Sequence, residues 1–298
     1  MKLSTLACYP VKSLRGIALS RAELTERGLA FDRRWMLVDD DGRFVTQREI
    51  PALATIGVEL SSDTLRLVHD RMAPLVLSLD EPKAAVRRVR VWQSECQALD
   101  EGDGAANWLA EALAKSLAEP LPKSLPEPRG EAGRFRRLRL VRLRHEQRRW
   151  VETEFLPPAE RGVVHTAFAD GYPLLIASEA SLAALNQRLE AKGEAPVPME
   201  RFRPNLVVSG GDPFAERDWA SLAGPGYRLG LRKPCKRCKI ITLDQRSGEA
   251  PSAKEPLKTL VEMDTQPGWK GAFFGQNAVV EQGVGAILRV GDVLESLS

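Results

Sequence analysis

The sequence predicts a β-rich α+β fold built in two strand-rich parts, and three observations carry that reading. Apolar runs are short and are closed by proline, glycine or an Asp-Gly turn, the spacing of barrels and sandwiches. Only two stretches have the apolar spacing of an amphipathic helix. Four prolines in the nine residues from Pro120 to Pro128 separate the parts, because proline neither continues a helix nor donates to a central strand. The expected organisation is an N-terminal β-barrel-like domain over residues 1–118, a Pro-rich linker or loop over 119–133, and a second β-rich domain over 134–298.

Each element has a local reason. Leu3–Tyr9 is a short apolar run stopped by Pro10 and reads as the first strand. Arg34–Val38 runs into Asp39-Asp40-Asp41-Gly42 and then Phe44-Val45-Thr46, the pattern of a hairpin. Leu53–Leu60 and Leu65–His69 flank Ser61-Ser62-Asp63 and predict a second hairpin. Val86, Val89 and Val91 lie among arginines, as in a half-buried strand. The first helix is expected over Ala105–Leu117, where Trp108, Leu109, Leu113 and Leu117 share a face. Arginines are dense from Arg134 to Arg149. Leu138, Leu140 and Leu143 among them predict an edge strand with its arginines in solvent; the alternative is a docking surface for an acidic partner. Ser178 is placed to cap a helix reaching Lys192, with Leu182, Leu185 and Leu189 on one side and Gly193 as its stop. Strands are expected again at Asn205–Ser209, Tyr227–Arg232, Lys239–Leu243, Asn277–Val280 and Val293–Leu297.

Composition excludes several classes. In 298 residues, 43% hydrophobic and 28% charged side chains describe a globular chain able to bury a core without disulfide staples. A net charge of +3, from 43 basic and 40 acidic residues, is too balanced to announce a nucleic-acid binder. No window approaches the ~18 uninterrupted apolar residues of a membrane span. Pro10 and Lys12 break the first apolar run too early for a signal peptide. Four cysteines without a secretion signal predict a reducing, cytoplasmic setting.

The strongest chemical feature is Lys233-Pro234-Cys235-Lys236-Arg237-Cys238-Lys239, a Cys-x-x-Cys pair among four cations. Nearby positive charge stabilises a thiolate, so the pair suits a ligand or a nucleophile. Several readings stay open. A zinc site lacks a second ligand pair, since His69, His145 and His165 are scattered. A thioredoxin-like pair would open a helix, whereas Lys239–Leu243 reads as a strand. A single thiolate could ligate a soft metal whose other ligands come from a cofactor. A merely structural pair competes with all three. Tyr9-Pro10-Val11-Lys12-Ser13-Leu14-Arg15-Gly16 is either an anion cradle or a plain basic turn, and it lacks the glycine spacing of a Walker loop. Phe31-Asp32-Arg33-Arg34-Trp35 and Arg201-Phe202-Arg203-Pro204-Asn205 set arginine beside aromatics in strand-like runs. A buried guanidinium there needs an anion, from Asp32 or from a bound phosphate or acidic heterocycle.

Tyr9-Pro10-Val11-Lys12-Ser13, Asp32-Arg33-Arg34-Trp35, Ser178-Glu179-Ala180-Ser181-Leu182, Phe202-Arg203-Pro204-Asn205, Cys235-Lys236-Arg237-Cys238, Lys254-Glu255-Pro256-Leu257 and Val290-Gly291-Asp292 occur in this order. In them the chain resembles MOSC-domain proteins that carry an N-terminal MOSC β-barrel domain. It is similar to the bacterial 6-N-hydroxylaminopurine-resistance proteins and the mitochondrial amidoxime-reducing component. The resemblance covers nearly the whole chain and implies two β-barrel domains, the second a MOSC domain. It also implies a molybdenum cofactor of the molybdopterin type. Cys238 maps to the metal-ligating, catalytic cysteine. Lys12, Ser13, Arg33, Arg203 and Asn205 map to cofactor-holding positions, with Lys236 and Arg237 beside the ligand. Gly171-Tyr172 stand where the mitochondrial proteins have a Thr-Ser pair, so contacts there reduce to backbone; Lys236 replaces a serine.

The function so implied is molybdenum-dependent reduction of N-hydroxylated compounds (N-hydroxylamines, amidoximes or hydroxylaminopurines), a detoxifying oxidoreductase. Its electrons would come from a separate flavoprotein, flavodoxin or ferredoxin. Neither a membrane anchor nor a ferredoxin-like domain with an iron–sulfur cluster is expected, and no specific nucleic-acid partner. The alternative is a cofactor carrier or sulfur-transfer protein using a persulfide on Cys235 or Cys238.

Overall fold

In the strand Lys2–Cys8 the side chains of Leu3, Leu6 and Cys8 are buried, and the register slips between Leu3 and Thr5 as the strand passes its neighbour. That neighbour is Leu206–Ser209, two hundred residues away in sequence. The structure is a computed structural model that describes residues 1–116 and 138–297; the linker expected over 119–133 lies outside the described residues.

Lys2–Cys8 belongs to an eight-stranded sheet. Its order is Ile17–Leu19, Lys2–Cys8, Leu206–Ser209, Leu174–Ser178, Phe273–Gln282, Tyr227–Lys236, Ser221–Gly224 and Glu295–Leu297. Leu174–Ser178 and Leu206–Ser209 are parallel, joined across helix Glu179–Glu190; the other pairings in this sheet are antiparallel. A second sheet of four strands runs Trp35–Val38, Arg139–Leu143, Ser94–Asp100, Val86–Val91, covered by helix Gly102–Ser116. Each sheet therefore takes strands from both sides of residues 119–133. The protein is strand-rich, as expected, with an N-terminal barrel-like domain and three α-helices among the described residues. Separate apolar cores form around Leu6, Ile176 and Leu229 in the large sheet and around Trp35, Leu67 and Leu109 in the N-terminal part.

Several local expectations are corrected. Residues 51–55 form a 3₁₀ turn, and the strand begins at Gly57 rather than Leu53. Pro51 at the turn's start fixes φ and offers no N–H to a ladder. Lys239–Thr242 is also a 3₁₀ helix rather than a strand. Its β-branched residues suit a strand, but burying Ile241 and Thr242 decides the conformation. Ser178 occupies the N-cap position of the helix Glu179–Glu190 without its side chain capping it. The Asp39–Gly42 turn leads to a single bridge, Val38 to Phe44, rather than a full hairpin.

The arginine-rich strand departs most. Arg139–Leu143 is not an edge strand with wet arginines; it lies inside its sheet, and all five residues are buried. Arg139 donates to Asp100 at 2.6 Å and to Asp103 at 2.5 Å. Arg142 pairs with Glu101 at 2.7 Å and donates to the carbonyls of Ser78, Leu79 and Asp80. Glu101 also accepts the Trp35 indole N–H at 2.6 Å. Two inward carboxylates explain the inward arginines, so Arg139 and Arg142 offer no docking surface. Arg142→Leu strands the buried Glu101 and should cost about 3–5 kcal/mol in urea unfolding, whereas replacing both partners with apolar residues should cost less.

Candidate functional site

The first strand stops at Pro10, and the following residues lie alongside 32–35. The Tyr9 N–H donates to Asp32 Oδ1 at 2.8 Å, the Arg33 N–H to Tyr9 O at 2.9 Å, and the Lys12 N–H to Trp35 O at 2.8 Å. This pairing brings the two basic segments together. Arg33 Nη1 reaches Asp32 Oδ2 at 2.5 Å and Asn205 Oδ1 at 2.9 Å; its Nη2 reaches the carbonyl of Arg203 at 3.2 Å. Asn205 is itself fixed, donating to Ala7 O and accepting the Leu175 N–H. The Tyr9 ring centre lies 4.4 Å from the guanidinium carbons of both Arg33 and Arg203. The Tyr9 hydroxyl donates to Pro204 O at 3.1 Å. Burial pushes that phenol up to about 12, against the pull of the two arginines, so it stays neutral.

Ser13 joins through its backbone. Its carbonyl accepts Gln47 Nε2 at 2.8 Å, Gln47 and Gln245 exchange amide hydrogen bonds, and Gln245 Oε1 accepts Arg203 Nη1 at 3.0 Å. Lys12 is buried with its ammonium 2.9 Å from Phe168 O and 2.5 Å from Asp170 Oδ1. That oxygen also accepts the Trp92 indole N–H at 3.1 Å. The Asp170 side chain is 61% exposed, so solvent reaches it between the elements that crowd it. Crowding works against its charge, but Lys12, with Arg48 and Trp92, holds the carboxyl well below the usual carboxylate range.

Burial lowers Lys12, opposed by Asp170, and lowers Arg203 to about 10. Arg33 is raised because Asp32 outweighs its desolvation. The cluster thus encloses three buried or part-buried cations around one buried carboxylate, Asp32. Ser13 (φ 69°), Arg33 (φ 47°) and Arg203 (φ 55°) are left-handed, at roughly 1–3 kcal/mol each. Three of the seven left-handed non-glycine residues among the described residues thus lie in this one polar cluster. A cavity of about 600 Å³ opens beside it, with Tyr9, Arg203 and Gln245 on its wall and Met199 and Leu182 opposite in character.

The Cys-x-x-Cys loop meets the same cluster. Arg237 donates its N–H to Ala272 O at 2.8 Å and its Nη2 to Phe202 O at 2.7 Å, one residue before Arg203. Its Nη1 lies 2.9 Å from Cys235 Sγ, while its Nε is buried without a partner. Cys238 is exposed at the N-cap of the 3₁₀ helix Lys239–Thr242, whose chain continues into Gln245. Among the described residues no three His, Cys, Asp or Glu side chains converge on a metal position, so the zinc reading lacks its ligands.

The structure therefore brings together Lys12, Ser13, Arg33, Arg203, Asn205 and Arg237. Gly171 follows Asp170 and faces open space. The Tyr172 side chain packs with Val151, Leu156 and Val279 instead, its hydroxyl unpartnered. Lys236 is exposed, its chain lying over Gly271. Sequence reasoning missed Asp170, Gln47 and Gln245. Nothing local marks the glutamines; the Asp-Gly step at 170–171 was the available signal for the aspartate.

Residues 1–116 match the MOSC N-terminal beta barrel domain, and residues 164–295 match the MOSC domain. The chain belongs to the family of MOSC proteins that carry both domains. Among its relatives, mitochondrial amidoxime-reducing component 1 of Homo sapiens is 33% identical over 305 residues, covering 97% of this chain and 81% of that protein. Mitochondrial amidoxime reducing component 2 of Rattus norvegicus is 32% identical, covering 97% and 81%. A molybdenum cofactor sulfurase of Oryza sativa subsp. japonica is 30% identical, covering 89% of this chain and 31% of that protein. No helix among the described residues is long and apolar enough to cross a membrane.

Asp170→Asn leaves the Lys12 ammonium with a carbonyl and no counter-charge. Because the carboxylate is exposed, the loss should be roughly 1–3 kcal/mol in denaturant unfolding at pH 7. The sign follows from the depressed carboxyl: its contribution is present above the ordinary Asp pKa of about 3.9 and fades as pH falls through the lower folded value. Wild type and variant should therefore converge in strong acid.

Proposed function

We propose that this chain is a molybdenum-cofactor-dependent reductase of N-hydroxylated compounds. One observation carries the reading: a surplus of buried cations, gathered from both sides of residues 119–133, adjoins the loop of an exposed cysteine. A phosphate-bearing pterin would supply an anion for Arg203 and an acceptor for the unpartnered Arg237 Nε, beside Lys12 and Arg33, which Asp170 and Asp32 hold in place. Cys238 supplies one soft donor, which suits molybdenum already held by dithiolene sulfurs. Ser13 and Asn205 join these residues around the pterin, as do the backbone at Gly171 and Tyr172 and the neighbouring Lys236.

When bound, molybdenum supplies the two-electron removal of oxygen from N–OH, and the protein supplies binding, orientation and electrostatics. Asp32 keeps Arg33 charged, Gln245 aims Arg203, and Asp170 anchors Lys12. Iron–sulfur ligation takes four cysteines. Cys8 and Cys96 are buried apart from the loop, with burial holding Cys8 well up and pushing Cys96 to about 11. Electrons are proposed to come from a flavin or iron–sulfur protein, as the family resemblance implies. The substrates proposed are N-hydroxylated bases or amidoximes.

A second reading has its own support. The guanidinium at 2.9 Å would stabilise an anionic sulfur on Cys235, as a persulfide carrier needs, and one relative is a sulfurase. The two are separated by protein expressed in a host that makes molybdopterin. Under the reductase reading, molybdenum co-purifies, Cys238→Ala loses it together with N-hydroxylamine reduction, and Cys235→Ala keeps much of both. Dependence on both thiols, with sulfur transfer and no reduction, would favour the carrier.

Binding to the assembled form alone stabilises by mass action. Cofactor-loaded protein should melt above cofactor-free protein, and Arg33→Ala should shrink the difference. Equal melting points at verified loading would refute a ligand held by residues 12–33 and 203–238 together.

A further inference from the structure

A second cavity, of about 590 Å³, is lined by cations other than those of the cluster. That volume is in the range of small-molecule sites. Leu24, Leu29 and Phe31 give it an apolar wall, and Arg27, Arg34 and Arg148 line it with guanidinium groups. Arg27 sits in the turn between the strands Arg21–Thr25 and Gly28–Leu29, and Arg148 in the segment that follows Arg139–Leu143.

Arg27 and Arg148 are held on one carbonyl. Arg27 Nη2 donates to His145 O and to Gln147 O, each at 2.7 Å, and Arg148 Nη1 donates to His145 O at 3.1 Å. Those two nitrogens therefore stand within about 6 Å of each other, where like charges repel. Among the described residues neither guanidinium has a carboxylate oxygen within 4 Å. Arg34 is the third cation. Its Nη2 reaches Glu81 at 3.2 Å, and its Nε is buried without a partner. The carboxylates along the wall are engaged or turned to solvent. Glu26 lies 3.6 Å from His165 Nε2 and is 63% exposed, Glu23 is exposed, and Asp32 is taken by the Tyr9 N–H and Arg33. The field at Arg27 is accordingly positive: burial lowers it, and Arg148 and Arg34 lower it further, ahead of the opposing pull of Glu26 and Glu81.

We propose that this cavity binds a small organic phosphate, with its phosphoryl group on Arg27 and Arg148 and its apolar body against Leu24, Leu29 and Phe31. A dianion relieves the repulsion between two cations that no side chain neutralises. Its three oxygens can accept from both of these guanidinium groups and from Arg34. A carboxylate offers one charge and two oxygens to the same three donors. Binding alone is proposed; no bond is made or broken. The cations are distinct from Lys12, Arg33 and Arg203, so the site is independent of the reductase reading.

The probe is phenyl phosphate, titrated by calorimetry into the full chain in a buffer free of phosphate and sulfate. Wild type should bind it more tightly than inorganic phosphate, because the apolar wall adds contact, and more tightly than the neutral benzyl alcohol. Arg148→Gln should weaken phenyl phosphate by about tenfold or more. It should melt at or above the wild-type temperature, since it removes a like-charge neighbour from Arg27. Arg148→Lys, which keeps the charge and loses the planar fork, should bind with intermediate strength. Arg203→Gln should leave the Arg148-dependent binding in place. No binding by wild type up to about 10 mM overturns the proposal. So does binding that Arg203→Gln abolishes and Arg148→Gln leaves intact, which belongs to the cofactor cluster. Sedimentation with phosphatidylcholine vesicles, with and without phosphatidylinositol 4-phosphate, fixes the source of the phosphate. Pull-down by the phosphoinositide alone, lost in Arg148→Gln, assigns it to a lipid headgroup. Phenyl phosphate binding without pull-down assigns it to a soluble ester.

Discussion

Arg33 and Arg203 are drawn out of water with Asp32 as their buried counter-charge, and Lys12 with Asp170 at its side; the surrounding structure is arranged to hold these cations. An unpaired buried cation is expensive, so the chain surrounds each with whatever acceptors it has. Arg33 uses one carboxylate, one side-chain amide and one carbonyl. Arg203 has a single amide oxygen and the face of Tyr9, and burial lowers it further than any added acceptor offsets. Left-handed backbone at Arg33 and Arg203 adds to the cost where glycine would relieve it. Arg33 is compensated by Asp32, whereas Arg203 keeps a cost that its neighbours only partly offset.

The same constraint explains the interleaved sheets. Arg33 and Asn205 lie in segments far apart in sequence, yet their side chains meet at 2.9 Å. The first strand enters the large sheet beside Leu206–Ser209, then leaves at Pro10 to lie against Trp35 in the N-terminal part. Arg139–Leu143 makes the reverse crossing between Trp35–Val38 and Ser94–Asp100. Backbone hydrogen bonds thus pair the two parts in register on both sides of the cluster.

Much of this was legible in the sequence, and the limits have physical causes. Strand richness showed in short punctuated runs. The ion pair of Arg33 with Asp32 followed from the cost of burying a guanidinium. The inward turn of Arg139 and Arg142 was not legible, because alternation predicts a wet face unless a carboxylate waits on the buried one. Asp100 and Glu101 are such carboxylates, forty residues earlier, and no local pattern links them. The strand reading of Lys239–Thr242 failed for a related reason: the strand preference of its β-branched residues is weak and context-dependent, and here tertiary contacts that bury Ile241 and Thr242 override it. Gln47 and Gln245 became meaningful through the contact between them.

That failed strand has a consequence for the two thiols. Had pairing continued past Lys236, Cys235 and Cys238 would have pointed to opposite faces of one strand, since side chains alternate with a period of two. Instead the strand ends at Lys236, and Arg237 is tied by its backbone to Ala272 and by its side chain to Phe202. Cys235 is left under the Arg237 guanidinium, and Cys238 stands exposed at the head of a short 3₁₀ turn leading to Gln245. Two cysteines three positions apart thereby acquire different environments, one covered by a cation and one open to a ligand. The helix-for-strand substitution also draws Gln245 to Arg203, so the conformation that frees the Cys238 thiol is the one that completes the cation cluster.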